Sequence, residues 1–303
     1  MAIRQVKWIV VLVLALGIAS CQSGPERRKP VTYRTSAREN FIKGKKAFDD
    51  EDYLEAIEFF KFVKNKFPYS KYSIEADLYL ADCYFKRDKY LEAAEAYENF
   101  VKLHPRHPRV PYAMFQVAAC HFEKIPSDWF LIPPAYEMDQ AETVITINKL
   151  RKYLRNWGQH EKAKEARRML AECLKRMAQR SMYVLDFYRS RRRYQAVVWR
   201  ADEILSKYSG VGFDEEALMR KAQALVELEQ PGEATKAISQ LLSRFPQGRY
   251  ADDARQLLQQ VQRQVQRQAQ AKQSTGKKTA GGKPVDGKPG QKPENSKSGE
   301  HKK

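Results

Sequence analysis

Catalytic signatures are the first thing this chain lacks. Its 303 residues contain no HExxH, no P-loop, no GxSxG and no GxGxxG, so zincin, nucleotide-hydrolysing, serine-hydrolase and dinucleotide chemistries have no carrier residues. Histidine is scarce, at five. His104 and His107 fall in an HPRHP turn, where the prolines prevent the shared helical face on which two histidines hold zinc. Long apolar runs are also missing. The one candidate, Trp8 to Ile18, is eleven residues of apolar or glycine character, too short at about 1.5 Å per residue for a hydrocarbon core of about 30 Å. Paired carboxylates do occur, as Asp49-Asp50-Glu51-Asp52, but that composition suits a solvated turn. No enzyme is expected.

The short apolar run has another use. Arg4 and Lys7 precede it, and the small residues Ala19 and Ser20 follow, directly before Cys21. A positive start, a short apolar core and small residues at a cut site are the parts of a secretory signal peptide. Ile18-Ala19-Ser20-Cys21 resembles the bacterial lipobox, which implies removal of residues 1–20. It also implies a covalent diacylglycerol and an N-acyl chain on Cys21. Two or three acyl chains, at about 0.8 kcal/mol per buried CH₂, hold a protein on a membrane where one is marginal. Gln22 stands where an Asp implies inner-membrane retention in enterobacterial lipoproteins, so the resemblance points to the outer membrane. The remaining cysteines, Cys83, Cys120 and Cys173, are odd in number and imply no disulfide framework. An oxidising compartment leaves a Cys83–Cys120 bridge open.

Acidic residues are in deficit, 37 against 55 Lys and Arg, for a net charge of +18. An exported protein meets no nucleic acid, so anionic lipid headgroups or acidic proteins are the expected counterparts.

A repeat organises the middle of the chain. At a shift of 37 residues, Tyr53-Leu54-Glu55-Ala56 returns as Tyr90-Leu91-Glu92-Ala93, and Ala81, Cys83 and Phe85 return as Ala118, Cys120 and Phe122. At a further shift of 141, Glu75, Ala76 and Ala81 map to Glu216, Ala217 and Ala222. Fixed-period self-similarity marks a repeat architecture. Ala81, Tyr84 and Phe85, then Ala93, Tyr97 and Phe100, recur at helical spacing. The pattern resembles the tetratricopeptide repeat and predicts an all-α solenoid of about five helix-turn-helix units with a C-terminal capping helix. The segments are a tether over 21–35, the repeats over 36–268 and a disordered basic tail over 269–303. Repeat three is interrupted by IPSDWFLIPPAYEMD before a second helix near Gln140 to Leu154. Repeat four is built around Met182 to Tyr208 with Ala196 as its small residue, and the cap runs from Tyr250 to about Gln268. The tail, nine lysines to three acids from Ala271 onward, is too poor in apolar residues to offset its ordering entropy.

Two groups of residues invite binding. Aromatics crowd the first two repeats, and Phe60, Tyr79, Tyr84 and Phe85 are candidates to line a groove for a peptide with an aromatic end. His121 takes the place that Tyr84 holds one repeat earlier, as a packed groove residue. Arg189, Arg191, Arg192 and Arg193 crowd the turn of repeat four, with Arg200 on the next helix, and like charges so placed suit an acidic partner.

Three stretches, Lys64 to Phe100, FVKLHPRHPRVPYAMF (Phe100 to Phe115) and YQAVVWRADEILSKY (Tyr194 to Tyr208), resemble the BamD family, outer-membrane lipoproteins of the β-barrel assembly machine. The resemblance spans roughly Tyr33 to Gln260. It implies five tetratricopeptide repeats, of which the first receive the C-terminal targeting strand of an unfolded outer-membrane protein. The last repeats dock on the periplasmic POTRA domains of the barrel subunit BamA, alongside other lipoproteins of the complex. The arginine closing the family's AVV-x-R run at that contact matches Arg200, and the arginine of the preceding turn matches Arg191. The chain departs from the family at NWGQH (Asn156 to His160), at Pro111, in the insertion Ile125 to Asp139 and in its long basic tail. The competing readings are a repeat lipoprotein that organises cell-wall or cell-division proteins, and a solenoid tied to cell-wall cleavage.

Overall fold

The computed structural model describes residues 31–126, 134 and 136–279. The signal segment, Cys21 and the rest of the tether up to residue 30, and the tail from residue 280, lie outside the described residues. Among the described residues the chain is all-helical, with eleven helices and no strand. It forms two compact units whose boundary falls between Cys173 and Leu174.

The first unit is a series of helix pairs: α1 (Ala37–Asp49) with α2 (Tyr53–Lys66), α3 (Lys71–Lys86) with α4 (Tyr90–Leu103), and α5 (Val110–Glu123) with α6 (Ala141–Trp157). Local signals start these helices. Ser36 Oγ accepts the amide of Glu39 at 3.2 Å, and Asp52 Oδ1 accepts that of Glu55 at 3.0 Å, each satisfying a first-turn N–H that has no intrahelical partner. So the last residue of the Asp49–Asp52 run is a cap. His107 Nδ1 accepts from the Arg109 amide at 3.3 Å, as Ser70 Oγ does from Tyr72 at 3.2 Å one repeat earlier.

Apolar faces then stack. Ala56, Phe60, Val63, Ala76 and Cys83 close one core, and Ala81, Ala93, Tyr97, Phe100, Ala113 and Cys120 the next. Gly44 lets α1 and α2 approach closely, since a Cβ there would lie 2.9 Å from the Phe60 ring. The Cys83–Cys120 bridge does not form: both are buried free thiols in this packing, and Cys173 is buried as well.

Helix α7 (Ala163–Ser190) runs 28 residues without a break, so the first helix of repeat four starts long before Met182. No Pro or Gly occurs between 163 and 190 to stop it. Ala166 and Met169 pack in the first unit, while Ala178, Met182 and Leu185 pack in the second. The second unit continues with α8 (Tyr194–Lys207), α9 (Asp214–Glu227), α10 (Pro231–Arg244) and α11 (Ala251–Thr279). Val197, fully buried, takes the position that Ala56 and Ala93 hold in the first repeats, and Ala196 is only half-buried. One turn later, where Phe60 and Tyr97 stand in the first repeats, this repeat has the small Ala201. Bulk is moved along the helix, and close packing is kept.

The turn inside each regular pair passes through one left-handed residue: Glu51 (φ 62°), Asp88 (φ 58°), Arg192 (φ 56°) and Glu229 (φ 56°). Helix α11 passes the expected end at Gln268 and reaches Thr279. Val261 is the last buried apolar residue among its described side chains. Residues 262–268 are exposed, and their Gln and Arg keep good helix propensity without burial.

Candidate functional site

The first unit holds a pocket of about 290 Å³ lined by Phe48 of α1, Tyr79, Asp82, Phe85 and Lys86 of α3, and Tyr112 and Gln116 of α5, with Tyr97 and Arg109. Its floor is a carboxylate. Asp82 is 7 % exposed, between the fully buried Ala81 and Cys83. The Tyr97 hydroxyl donates to Asp82 Oδ1 at 2.5 Å, and the Tyr112 hydroxyl donates to the same oxygen at 2.8 Å. Gln116 Nε2 donates to the Tyr112 oxygen at 3.1 Å and approaches that of Tyr97 at 3.5 Å. Burial raises the Asp82 carboxyl above its ordinary range, and the two phenols, Arg109 and Lys86 pull the other way without overcoming it. Burial and the neighbouring carboxylate likewise raise both phenols.

The rim is cationic. The Arg109 guanidinium lies 4.9 Å from the Tyr112 ring centre and 5.7 Å from that of Tyr79. One nitrogen reaches Glu75 Oε2 at 3.5 Å, and His107 Nε2 is 3.4 Å from the other oxygen of Glu75. The HPRHPRV turn thus sets the pocket's edge, with its histidines engaged by acids: His104 is 3.8 Å from Asp77.

Of the four groove candidates, Tyr79 and Phe85 share this pocket. Tyr84 lies in a different, larger cleft of about 1170 Å³, shared with Arg87, Lys43 and the segment Val31–Tyr33. Phe60 offers a peptide no surface. It is fully buried, stacked on Tyr79 at 5.3 Å between ring centres, and supports the wall from behind. His121 Nδ1 meets Glu142 Oε2 at 2.8 Å, an interhelix tie between α5 and α6. His160, in the NWGQH turn, holds the Tyr153 hydroxyl at 2.8 Å.

In the second unit the arginine turn is less strained than its charge suggests. Arg189 pairs with Asp186 at 3.2 Å. Arg191 lies flat over the Phe187 ring, 3.5 Å from its centre, and donates to the Phe187 carbonyl at 3.3 Å. Arg200 pairs with Glu203 at 2.6 Å, which Lys207 also reaches at 3.2 Å. Burial acts to raise the Glu203 carboxyl, but the bonds from Arg200 and Lys207 outweigh it and hold the carboxyl below its ordinary range. Exposed aromatics accompany the arginines: Phe187 at 46 % and Trp199 at 67 %.

The model of the YfiO family, described as outer membrane lipoproteins, matches residues 34–237. The chain belongs to that family. The match includes both the pocket and the arginine turn and stops before α11. A Caulobacter vibrioides protein, outer membrane protein assembly factor BamD, is 25% identical over 251 residues, covering 82% of this chain and 79% of that one. Its namesake from Neisseria gonorrhoeae is 22% identical over 259 residues, covering 83% and 95%. Among solved structures, the TPR2AB domain of yeast Sti1 aligns over 78% of this chain and 86% of that one, at a TM-score of 0.38 and 16% identity.

For this YfiO family member, sequence reasoning missed Asp82, Phe187 and Trp199. Asp82 left a signal, as a lone acid inside the apolar run Leu78 to Phe85. Trp199 left one too, a tryptophan on the polar face of AVVWR. Among the described residues no helix is long and apolar enough to cross a membrane.

Proposed function

We propose that this protein is a non-enzymatic scaffold of outer-membrane protein assembly, anchored by acyl chains on Cys21 and facing the periplasm. Its relatives are named outer membrane protein assembly factors. The first-unit groove receives the C-terminal segment of an unfolded outer-membrane protein, and the arginine turn docks on the POTRA domains of BamA among the other lipoproteins of that complex. The observation that carries the reading is the pocket itself: an aromatic-walled recess with Arg109 and Lys86 at its rim. Aromatic walls suit an aromatic side chain, and rim cations suit a terminal carboxylate. On the second unit, Trp199 and Phe187 beside Arg191 and Arg200 have the aromatic-and-arginine composition of binding hot spots.

The experiment is a mild-detergent pull-down of the full-length protein, with partners identified by mass spectrometry and the bait's own mass read in the same preparation. A POTRA-bearing barrel protein should be recovered, and Arg200→Glu should reduce its recovery with helicity unchanged. The bait should begin at an acylated Cys21. Recovery of cell-wall or division proteins alone would overturn the assembly reading, and an unacylated mature N-terminus would overturn the anchor.

A further inference from the structure

The hydrogen bonding on the pocket floor is lopsided. Both phenols, Tyr97 and Tyr112, donate to Oδ1 of Asp82. Oδ2 has no hydrogen-bond partner among the described residues, although the side chain is more than nine-tenths buried and lines the pocket. Facing the pocket, this oxygen is left to solvent, and a ligand that fills the pocket and displaces that water must supply a donor in its place or leave the carboxylate oxygen unpaired at a cost.

Charge tells which kind of donor fits. Arg109 and Lys86 already stand near the carboxylate, so a cationic side chain would enter against two like charges. A neutral O–H meets no such opposition. Shape adds that the donor must sit on a ring, because Phe48, Tyr79, Phe85 and Tyr112 form the walls and favour edge and offset contacts with another aromatic. A cavity of about 290 Å³ admits one such side chain. We propose that the groove selects a tyrosine side chain of the incoming peptide, whose phenol donates to Asp82 Oδ2. This rests on the peptide-binding reading above and adds a specificity to it: tyrosine is preferred over phenylalanine, and Asp82 is the residue that reads the difference.

The test titrates fluorescently labelled nonapeptides with a free C-terminus into the purified full chain. Each peptide carries a single aromatic residue, placed in turn at each of the last three positions, as tyrosine, phenylalanine or O-methyltyrosine. At the position that reaches the pocket, tyrosine should bind about tenfold to a hundredfold tighter than phenylalanine, the range for a hydrogen bond to a charged group. O-methyltyrosine, which keeps the oxygen and loses the donor, should fall with phenylalanine. In Asp82→Asn the amide nitrogen donates to a phenol or an ether alike, so the gap between tyrosine and O-methyltyrosine should narrow. Phenylalanine binding within threefold of tyrosine at all three positions overturns the selectivity and leaves peptide binding standing. A gap unchanged in Asp82→Asn overturns the assignment to Asp82. Failure of every peptide to bind overturns both.

Discussion

Truncating Asp82 to alanine is the sharpest test of the pocket floor. The Tyr97 hydroxyl is fully buried and would keep only the Gln116 nitrogen, 3.5 Å away. A buried hydroxyl that loses its acceptor costs about 1–3 kcal/mol. Tyr112 is half-buried and retains Gln116 at 3.1 Å, so its share is smaller. Removing a desolvated carboxylate relieves part of the loss. The expected net destabilisation of Asp82→Ala is about 1–2 kcal/mol at pH 7, at the lower part of that hydroxyl range, read by urea unfolding followed by circular dichroism. Asp82→Asn supplies the control, because an amide oxygen accepts from both phenols without a charge to desolvate. Here pH gives a second reading. Burial raises the Asp82 carboxyl above its ordinary 3.8 in the folded chain, so the folded state holds that proton more tightly than the unfolded one. Its contribution is therefore fully present below the ordinary value and declines as pH rises through the raised one. Wild type should gain on Asp82→Asn as the pH falls from 7 towards 4. If Asp82→Ala matched wild type, and the wild-type-to-Asn difference stayed flat with pH, the carboxylate would not be the buried acceptor of two phenols.

Asp214 should show the opposite pH dependence. Its burial acts to raise the carboxyl, but Ser209, the Gly210 amide and Arg244 outweigh that and hold it below 3.8. Its contribution is present above that ordinary value and lost as pH falls through the lowered one, so Asp214→Asn should lose about 1–3 kcal/mol at pH 7 and approach wild type in acid melts. At Glu229, φ 56°, glycine relieves a left-handed strain of about 1–2 kcal/mol while restoring entropy to the unfolded chain. Glu229→Gly should therefore melt at or above wild type and Glu229→Val below it, and equal melting temperatures for the two variants would refute the strain argument.

Much of the fold was legible because its determinants are local and periodic. Tyr-Leu-Glu-Ala at 53 and at 90 opens two second helices in register, and Ala56 and Ala93 sit at the close approach that small residues permit. What was hidden depended on comparison across space. Nothing local distinguishes Ala196 from Val197 as the packing residue of α8; the larger Val197 goes with the position one turn later on the same helix, where Ala201 replaces an aromatic. The left-handed turns escaped because no glycine marks them: Glu51, Asp88, Arg192 and Glu229 occupy positions that glycine would enter at less strain. Their spacing, 37 and then 141 for Glu51, Asp88 and Glu229, matches the sequence repeat, so the backbone carries a periodicity that side-chain chemistry conceals.

The same distinction governs the candidate sites. Aromatic content pointed to the first two repeats, yet it could not sort Phe60 from Phe85, because both recur at core spacing and only the stacked neighbour decides which is covered. Charge content located the arginine turn and overstated its strain. Arg189 and Arg200 are neutralised within one helical turn by Asp186 and Glu203, and Arg191 is spread over the Phe187 ring. An arginine laid on an exposed aromatic keeps most of its donors available while losing little side-chain freedom on binding. The turn is thus suited to a partner through preorganisation as much as through charge. Replacing Phe187 would then weaken docking through Arg191 without altering the net charge that drew attention to the turn.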